Sequence, residues 1–286
     1  MSARLLDGQK LAGEILRGLS RRSRAFRRKR GRSPCLAIVA GNHPASQSYL
    51  KSKLRACALA GVRARLTHLE AGASLRQASS LVKKLARDAA VDAIMIELPL
   101  PVPEQGLIEL IPSSKDAEGL TAASFGRLFQ ARNFQETENL PVPCTAAAVI
   151  ALLQSAGVAI RSKRAAVLGR SNILGKPTAH LLTLLDATVT LCHSKTKDLK
   201  KILAQADLAV AGIGRPRFIK GSWLKRGAAV IDAGINIEGR AVRGDVDFKS
   251  ARGIAAYISP VPGGVGPVTT AMLLRNTLVL AEAQLK

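Results

Sequence analysis

The sequence predicts an α/β fold in two domains, and three observations carry that prediction. Short, continuous apolar runs such as 35–40 alternate with segments whose apolar residues recur at helical spacing. The runs are apolar throughout, as expected of strands buried on both faces of a parallel sheet. The alternation breaks over the more polar stretch 115–143 and resumes at Ala165, in a strand that runs straight into Gly169. At 286 residues and 47% hydrophobic, the chain is long enough for a substantial core.

Taken in order, residues 7–30 read as a helix, with Asp7 as N-cap and Leu11, Ile15, Leu16 and Leu19 as its apolar stripe. A strand at 35–40 follows. Pro44 opens a second helix and Gly61 closes it. Residues 63–69 form a strand, and 74–88 a helix with Leu75, Ala78, Leu81, Val82 and Leu85 inward. A third strand over 91–98 is ended by Pro99 and Pro101. The stretch 115–143 reads as loops leading to a connecting helix near 145–156. The second series has a strand at 165–168, then a helix after Gly175 carrying Ala179, Leu182, Leu185 and Ala187. Next come a strand at 188–191, a helix near 197–205, and strands at 208–211 and 228–232. The last helix, 269–282, is expected to pack back on the first domain.

Charge is the unusual feature. The chain carries 43 basic and 20 acidic residues, a net +23. From Arg17 to Arg32, nine of sixteen residues are Arg or Lys and none is acidic. Such a block reads either as a solvated helix face or as a surface for nucleic acid or another polyanion. No apolar run approaches a membrane span. Cys35, Cys57, Cys144 and Cys192 lie far apart, without a CxxC pair, and read as buried reduced thiols. His43, His68 and His180 show no metal-ligand spacing, so no metal site is expected. The Arg-rich N-terminus raises a transit peptide, but Asp7 and Glu14 argue against it and favour a cytoplasmic protein.

Gly169-Arg170-Ser171-Asn172-Ile173-Leu174-Gly175 lies at a strand-to-helix turn, where backbone N–H groups and the helix dipole attract a pyrophosphate. It departs from GxGxxG in spacing and in its serine, so a tight structural turn stays open beside dinucleotide binding. Where NAD sites place an acid at the end of the second strand, this chain reads Leu191-Cys192-His193-Ser194-Lys195. With no acid there, Arg170, Ser194 and Lys195 suit a 2′-phosphate, which favours NADP. His193 reads as structural. In the helix after Pro44, Tyr49 and Lys53 stand four apart and share one face. Alone, that pair reads as solvated surface as readily as a grip on a flat ligand.

The stretch Pro44–Tyr49 with Lys53 and Ala56-Cys57 resembles the substrate helix of the bifunctional methylenetetrahydrofolate dehydrogenase/cyclohydrolase family. So do Glu97-Leu98-Pro99-Leu100-Pro101, Lys115-Asp116-Ala117-Glu118-Gly119 and Pro143-Cys144-Thr145, the Gly169–Gly175 turn, and Pro260-Val261-Pro262-Gly263-Gly264-Val265-Gly266-Pro267. These blocks keep the family's order and spacing from Leu6-Asp7-Gly8 onward, which leaves nothing to be cleaved. The resemblance implies a folate-binding catalytic domain over 1–143, joined by the helix 267–286, and a Rossmann-type NADP-binding domain over 144–266, with a cleft between them. It also implies a homodimer.

The implied reaction is oxidation of 5,10-methylenetetrahydrofolate, then hydrolysis of the methenyl product to 10-formyltetrahydrofolate. By matching position, Tyr49 packs on the folate rings and Lys53 is central to the hydrolysis. Glu118 anchors the pterin, and Ile96, Glu97, Leu98, Pro262, Gly263 and Gly264 line the substrate. Gly169, Arg170, Ser171, Ser194 and Ile235 contact the cofactor.

Three positions depart from the family's pattern. Glu97 stands where Gln is usual, Glu118 where Asp is usual, and Ala146-Ala147-Ala148 where Pro-x-Gly is usual. A carboxylate close to Lys53 favours its ammonium form and makes it a poorer base, while favouring a cation that forms nearby. The expectation is a retained dehydrogenase and a weakened or lost hydrolysis; the alternative, a Glu97 that is protonated or turned away, leaves both activities in place. The competing expectation is a non-catalytic relative that binds nucleic acid or another polyanion through the basic helix. The basic block is also a candidate for attracting polyglutamylated folates.

Overall fold

The computed structural model describes residues 2–285 except His43 and Arg240, and for 44–49 and Gln105 it describes the backbone alone. In chain order the first elements are β1 (Arg4–Leu5), α1 (Gly8–Arg30), β2 (Cys35–Gly41), α2 (Pro44–Ala60), β3 (Arg63–Leu69), α3 (Leu75–Arg87) and β4 (Ala93–Glu97). Two short helices follow, α4 (Gln105–Ile108) and α5 (Ala122–Gln130), then α6 (Cys144–Ser155). The remainder comprises β5 (Arg164–Leu168), α7 (Gly175–Leu184), β6 (Thr188–Cys192), α8 (Leu199–Gln205), β7 (Leu208–Ala211) and β8 (Ala229–Asp232). It closes with β9 (Asn236–Glu238), β10 (Ala241–Arg243), α9 (Phe248–Ala251), β11 (Tyr257–Ile258) and α10 (Val265–Ala283).

The chain forms two compact units. One comprises 13–130, 136–142 and 273–286; the other comprises 1–12, 131–135 and 143–272. In the first, β3, β2 and β4 form a parallel sheet with β2 in the middle. All seven residues of β2 are buried, which explains its unbroken apolar run. Local signals place the helices. Asp7 Oδ1 accepts from the Lys10 amide at 2.9 Å at the start of α1. Ser74 and Gln77 form a reciprocal capping box on α3. Gly61, at φ +69°, ends α2 with its amide on Ala58 O and the next amide, Val62, on Cys57 O, a Schellman arrangement. On α10, the buried Asn276 donates to Ala117 O and Val142 O at 2.9 and 2.8 Å, tying the helix to its own unit.

The second unit holds a six-stranded parallel sheet, ordered β1-β11-β8-β7-β5-β6. This is the doubly wound arrangement, in which ligands bind outside the carboxyl ends of the strands. Its outermost strand on one side is Arg4–Leu5, which in sequence precedes α1.

Several expectations need correction. Leu75 is 48% exposed, because the core stripe of α3 is Ala78, Val82 and Leu85. Leu185 and Ala187 lie beyond the end of α7, in the turn before β6. The stretch 115–143 contains α5 and a 3₁₀ turn at Phe134–Thr137, too short to show a periodicity. The last helix begins at Val265, a full turn early, because Pro267 sits in its first turn, where a missing N–H is harmless. The two-residue strands β1 and β11 and the β9–β10 hairpin are not expected from the sequence. All four cysteines are free and buried.

Candidate active site

In the N-terminal unit the chemistry collects at the carboxyl end of β4. Lys53 lies on α2, and its Nζ meets Glu97 Oε2 at 2.6 Å, with the two side chains 19% and 6% exposed. Glu97 is the last residue of β4 and pairs in register with Ala40 of β2. Glu118 reaches the same place by a separate route. A parallel bridge between Ile94 and Asp116 lays the 115–118 segment alongside β4, with Ile94 N on Lys115 O and Ala117 N on Ile94 O. Gly119 closes this segment at φ +67°, where a Cβ would collide with the 141–142 backbone.

Glu118 is half-buried. Desolvation pushes its carboxyl from 4.5 up to about 7, with Lys53 opposing, Asp116 and Glu97 reinforcing, and a hydrogen bond from the Ile96 backbone opposing. The carboxyl is thus divided between its two forms at neutral pH. Ile96 itself is buried, so only its backbone is available to a ligand, whereas Leu98 is 39% exposed. The helix backbone carries Tyr49 one turn before Lys53, but the Tyr49 side chain lies outside the described residues, as does His43.

In the other unit, β5 runs into Gly169 at φ +110°. A Cβ on Gly169 would overlap Gly212 O, and one on Gly175 would overlap Gly169 O, so backbone packs on backbone where no side chain fits. Ser171 is absorbed locally, its Oγ accepting from the Leu174 amide at 3.2 Å. The turn opens the ten-residue α7. β6 lies beside β5, with Gly169 N donating to Cys192 O at 2.9 Å, so Ser194 follows two residues beyond this contact. Arg170, Ser194 and Lys195 lie there at the surface, and no acid stands in the turn. This cradle and donor set fit a dinucleotide with a 2′-phosphate. His193 is structural: its Nδ1 accepts from the Lys195 amide at 3.2 Å and its amide donates to Thr196 Oγ1 at 2.8 Å.

Ile235 follows β8 and is 53% exposed. The Pro262–Gly264 loop precedes α10. Gly263 has φ +102°, and a Cβ on Gly264 would lie 2.5 Å from Pro260 O. Sequence reasoning missed Asp232 and Asp245, two buried carboxylates that organise the loops around Ile235. Their signal was scarcity: in a chain so poor in acids, the run Gly244-Asp245-Val246-Asp247 stands out.

Two family models match. Residues 6–118 fit the catalytic domain of tetrahydrofolate dehydrogenase/cyclohydrolase, and residues 143–285 fit its NAD(P)-binding domain. The chain belongs to the tetrahydrofolate dehydrogenase/cyclohydrolase family. It is 43% identical over 290 residues to the bifunctional protein FolD of Azoarcus sp. (strain BH72), covering 99% of this chain and 97% of that one. The FolD of Halothermothrix orenii is 43% identical over 279 residues, covering 96% of each. Among solved structures, the Trypanosoma brucei methylenetetrahydrofolate dehydrogenase-cyclohydrolase complexed with NADP cofactor and inhibitor matches with TM-score 0.93 and 37% identity, covering 100% of this chain and 99% of that chain. The Campylobacter jejuni FolD matches with TM-score 0.92 and 36% identity, covering 99% and 100%.

Membership in this family runs against the expectation of a non-catalytic nucleic-acid binder. Within the basic block, Arg22 pairs with Glu282 and Arg32 with the buried Asp92, so part of that charge is structural. Arg17, Arg21, Arg24 and Arg28 form a stripe on the outer face of α1. Among the described residues, no helix is long and apolar enough to cross a membrane.

Proposed function

We propose that this family member oxidises 5,10-methylenetetrahydrofolate with NADP⁺ and hydrolyses the methenyl product slowly to 10-formyltetrahydrofolate. The observation that carries this reading is the Lys53–Glu97 pair beside Glu118 at the end of β4. The cofactor, when bound, supplies the acceptor for the hydride leaving the bridging carbon of the folate. Oxidation needs no protein base, because the neighbouring nitrogen lone pairs drive it; the chain's work is orientation and charge. Tyr49 packs on the folate rings. Ile96, through its backbone, and Leu98 border the substrate, and the Pro262–Gly264 loop offers it close backbone approach. Glu118, part protonated at neutral pH, both donates to and accepts from the pterin edge. Gly169, Arg170, Ser171, Ser194 and Ile235 serve the cofactor.

Hydrolysis is different, since attack of water on the methenyl carbon releases a proton. Lys53 is committed to Glu97. For the lysine to work as a base, the largely buried Glu97 must lose its partner, and breaking a buried pair costs about 3–5 kcal/mol. The same carboxylate favours the methenyl cation. Glu97 therefore supports oxidation and slows hydrolysis.

The test is to incubate purified protein with methylenetetrahydrofolate and NADP⁺ and follow NADPH and the methenyl species separately. NADPH with accumulating methenyl product is expected; no NADPH formation overturns the reading. We extend the proposal to a cytoplasmic homodimer, as the family resemblance implies. Light scattering of the purified protein checks the dimer. The folate domain is proposed over 1–143 with 267–286 and the cofactor domain over 144–266, except that residues 1–12, 131–135 and 267–272 group with the cofactor unit, where Arg4–Leu5 adds a strand to its sheet.

A further inference from the structure

Asp245 is fully buried and has no part in the chemistry above. Its Oδ2 accepts from the amides of Ile213 and Gly214 at 2.6 and 3.0 Å. Its Oδ1 accepts from the Arg215 amide at 2.8 Å and from Asn236 Nδ2 at 2.9 Å. Four donors thus converge on one carboxylate. Among the described residues no cation pairs with it, so amide dipoles and the Asn236 side chain hold the negative charge.

The Asp245 amide donates to Asp232 Oδ1 at 3.0 Å, and that same oxygen accepts from the Gly234 amide at 2.9 Å. Asp232 Oδ2 accepts from the Val246 amide at 2.8 Å. The packing leaves no slack. A Cβ on Gly234 would strike the Asp245 carboxyl, and one on Gly244 would strike that of Asp232.

The segments so fastened are those that follow β7 and β8 at their carboxyl ends. One is 213–215, whose neighbour Gly212 packs against Gly169 of the cofactor turn. The other is 234–236, with Gly234 and Asn236 each held and the exposed Ile235 between them. A buried anion of this kind spends its hydrogen bonds on exposed loops rather than on the sheet.

We infer that Asp245 is a positioning residue for the nicotinamide half of the cofactor, acting through the 213–215 backbone and through Asn236 on Ile235. The inference rests on the NADP reading of this unit. It predicts that the two halves of the cofactor respond differently to its loss. The adenosine 2′,5′-bisphosphate half meets the Gly169 turn, Arg170 and Ser194, and not the segments that Asp245 holds.

The experiment measures affinity for adenosine 2′,5′-bisphosphate and for NADPH by calorimetry, on the wild-type chain, Asp245→Asn and Asn236→Ala. In Asp245→Asn, the bisphosphate is expected to bind within about twofold of wild type and NADPH at least about tenfold more weakly. Asn236→Ala keeps the three amide contacts of Asp245 and is expected to show the same selectivity at about threefold; it decides the matter if Asp245→Asn does not fold. Parallel loss of both ligands, or loss of neither, overturns the inference. A wild-type chain that binds neither ligand overturns the cofactor reading and this inference with it.

Discussion

Lys53 Nζ lies 2.6 Å from Glu97 Oε2, an ion pair between the middle of α2 and the last residue of β4. On the proposed reading, this pair favours oxidation over hydrolysis. Glu97→Gln keeps the shape, frees Lys53 and removes the negative charge. Hydrolysis of added methenyltetrahydrofolate is expected to rise about tenfold or more, with oxidation falling in the same variant. Stopped-flow absorbance of the methenyl species reads the first, and NADPH formation the second. An unchanged hydrolysis rate sinks the assignment of Glu97.

Glu118 makes stability depend on pH with a definite sign. Its folded carboxyl titrates near 7 and an unfolded glutamate near 4.5, so between those values the folded state binds the extra proton. Stability from this group is therefore fully present below about pH 4.5 and is lost as pH rises through 7, by on the order of 3 kcal/mol. Asp232, whose carboxyl burial lifts to about 6, contributes with the same sign, so the comparison must be made against a variant. The stability difference between wild type and Glu118→Gln, from urea denaturation, is expected to move against the wild type from about pH 5 to 8. A difference that stays flat with pH contradicts the assignment.

The central strands were legible because a strand buried on both faces must be apolar throughout, as β2 and β7 are. α1 was legible from the Asp7 cap and its apolar stripe, and α3 from its apolar spacing, while the Ser74 capping box went unread. What was hidden depends on partners distant in sequence. Arg4–Leu5 is a strand only because Tyr257–Ile258 pairs with it. In the candidate site, Lys53 and Glu97 were named from resemblance, while the 2.6 Å contact between them needs α2 to cross the end of β4. The role of Asp245 was hidden: the scarcity of acids marks the residue, but four donors converging on its carboxylate from 213–215 and 236 leave no spacing pattern.

On the proposed reading, cofactor choice is set by Arg170 after β5 and by the end of β6. Arg170 and Ser194 lie at the surface, and no acid occupies the turn where ribose hydroxyls would be held. Losing a hydrogen bond to a charged group typically costs about 1.5–3 kcal/mol. Replacing Arg170 with Ala is expected to raise the KM for NADP⁺ by about 10- to 100-fold and to leave the KM for NAD⁺ within about threefold. Steady-state kinetics with both cofactors checks this. Equal losses for the two would mean that Arg170 does not read the 2′-phosphate.

The glycines of α1 predict opposite effects along one helix. Gly8 begins the helix where a Cβ would overlap the carbonyl oxygen of Gly264, and since both sides are backbone, neither can rotate away. Gly8→Ala is expected to destabilise the chain by about 1–3 kcal/mol through overpacking. It should also disturb the Pro262–Gly264 loop, so the KM for methylenetetrahydrofolate rises in the same variant. Gly18 lies inside the helix with nothing within 4 Å of the point where a Cβ would stand. There Gly18→Ala removes only the entropic penalty of glycine and is expected to stabilise by about 0.5–1 kcal/mol, with catalysis untouched. Thermal unfolding of the two variants should move in opposite directions, and a shift of the same sign in both would show that the contact between Gly8 and Gly264 does not constrain the loop.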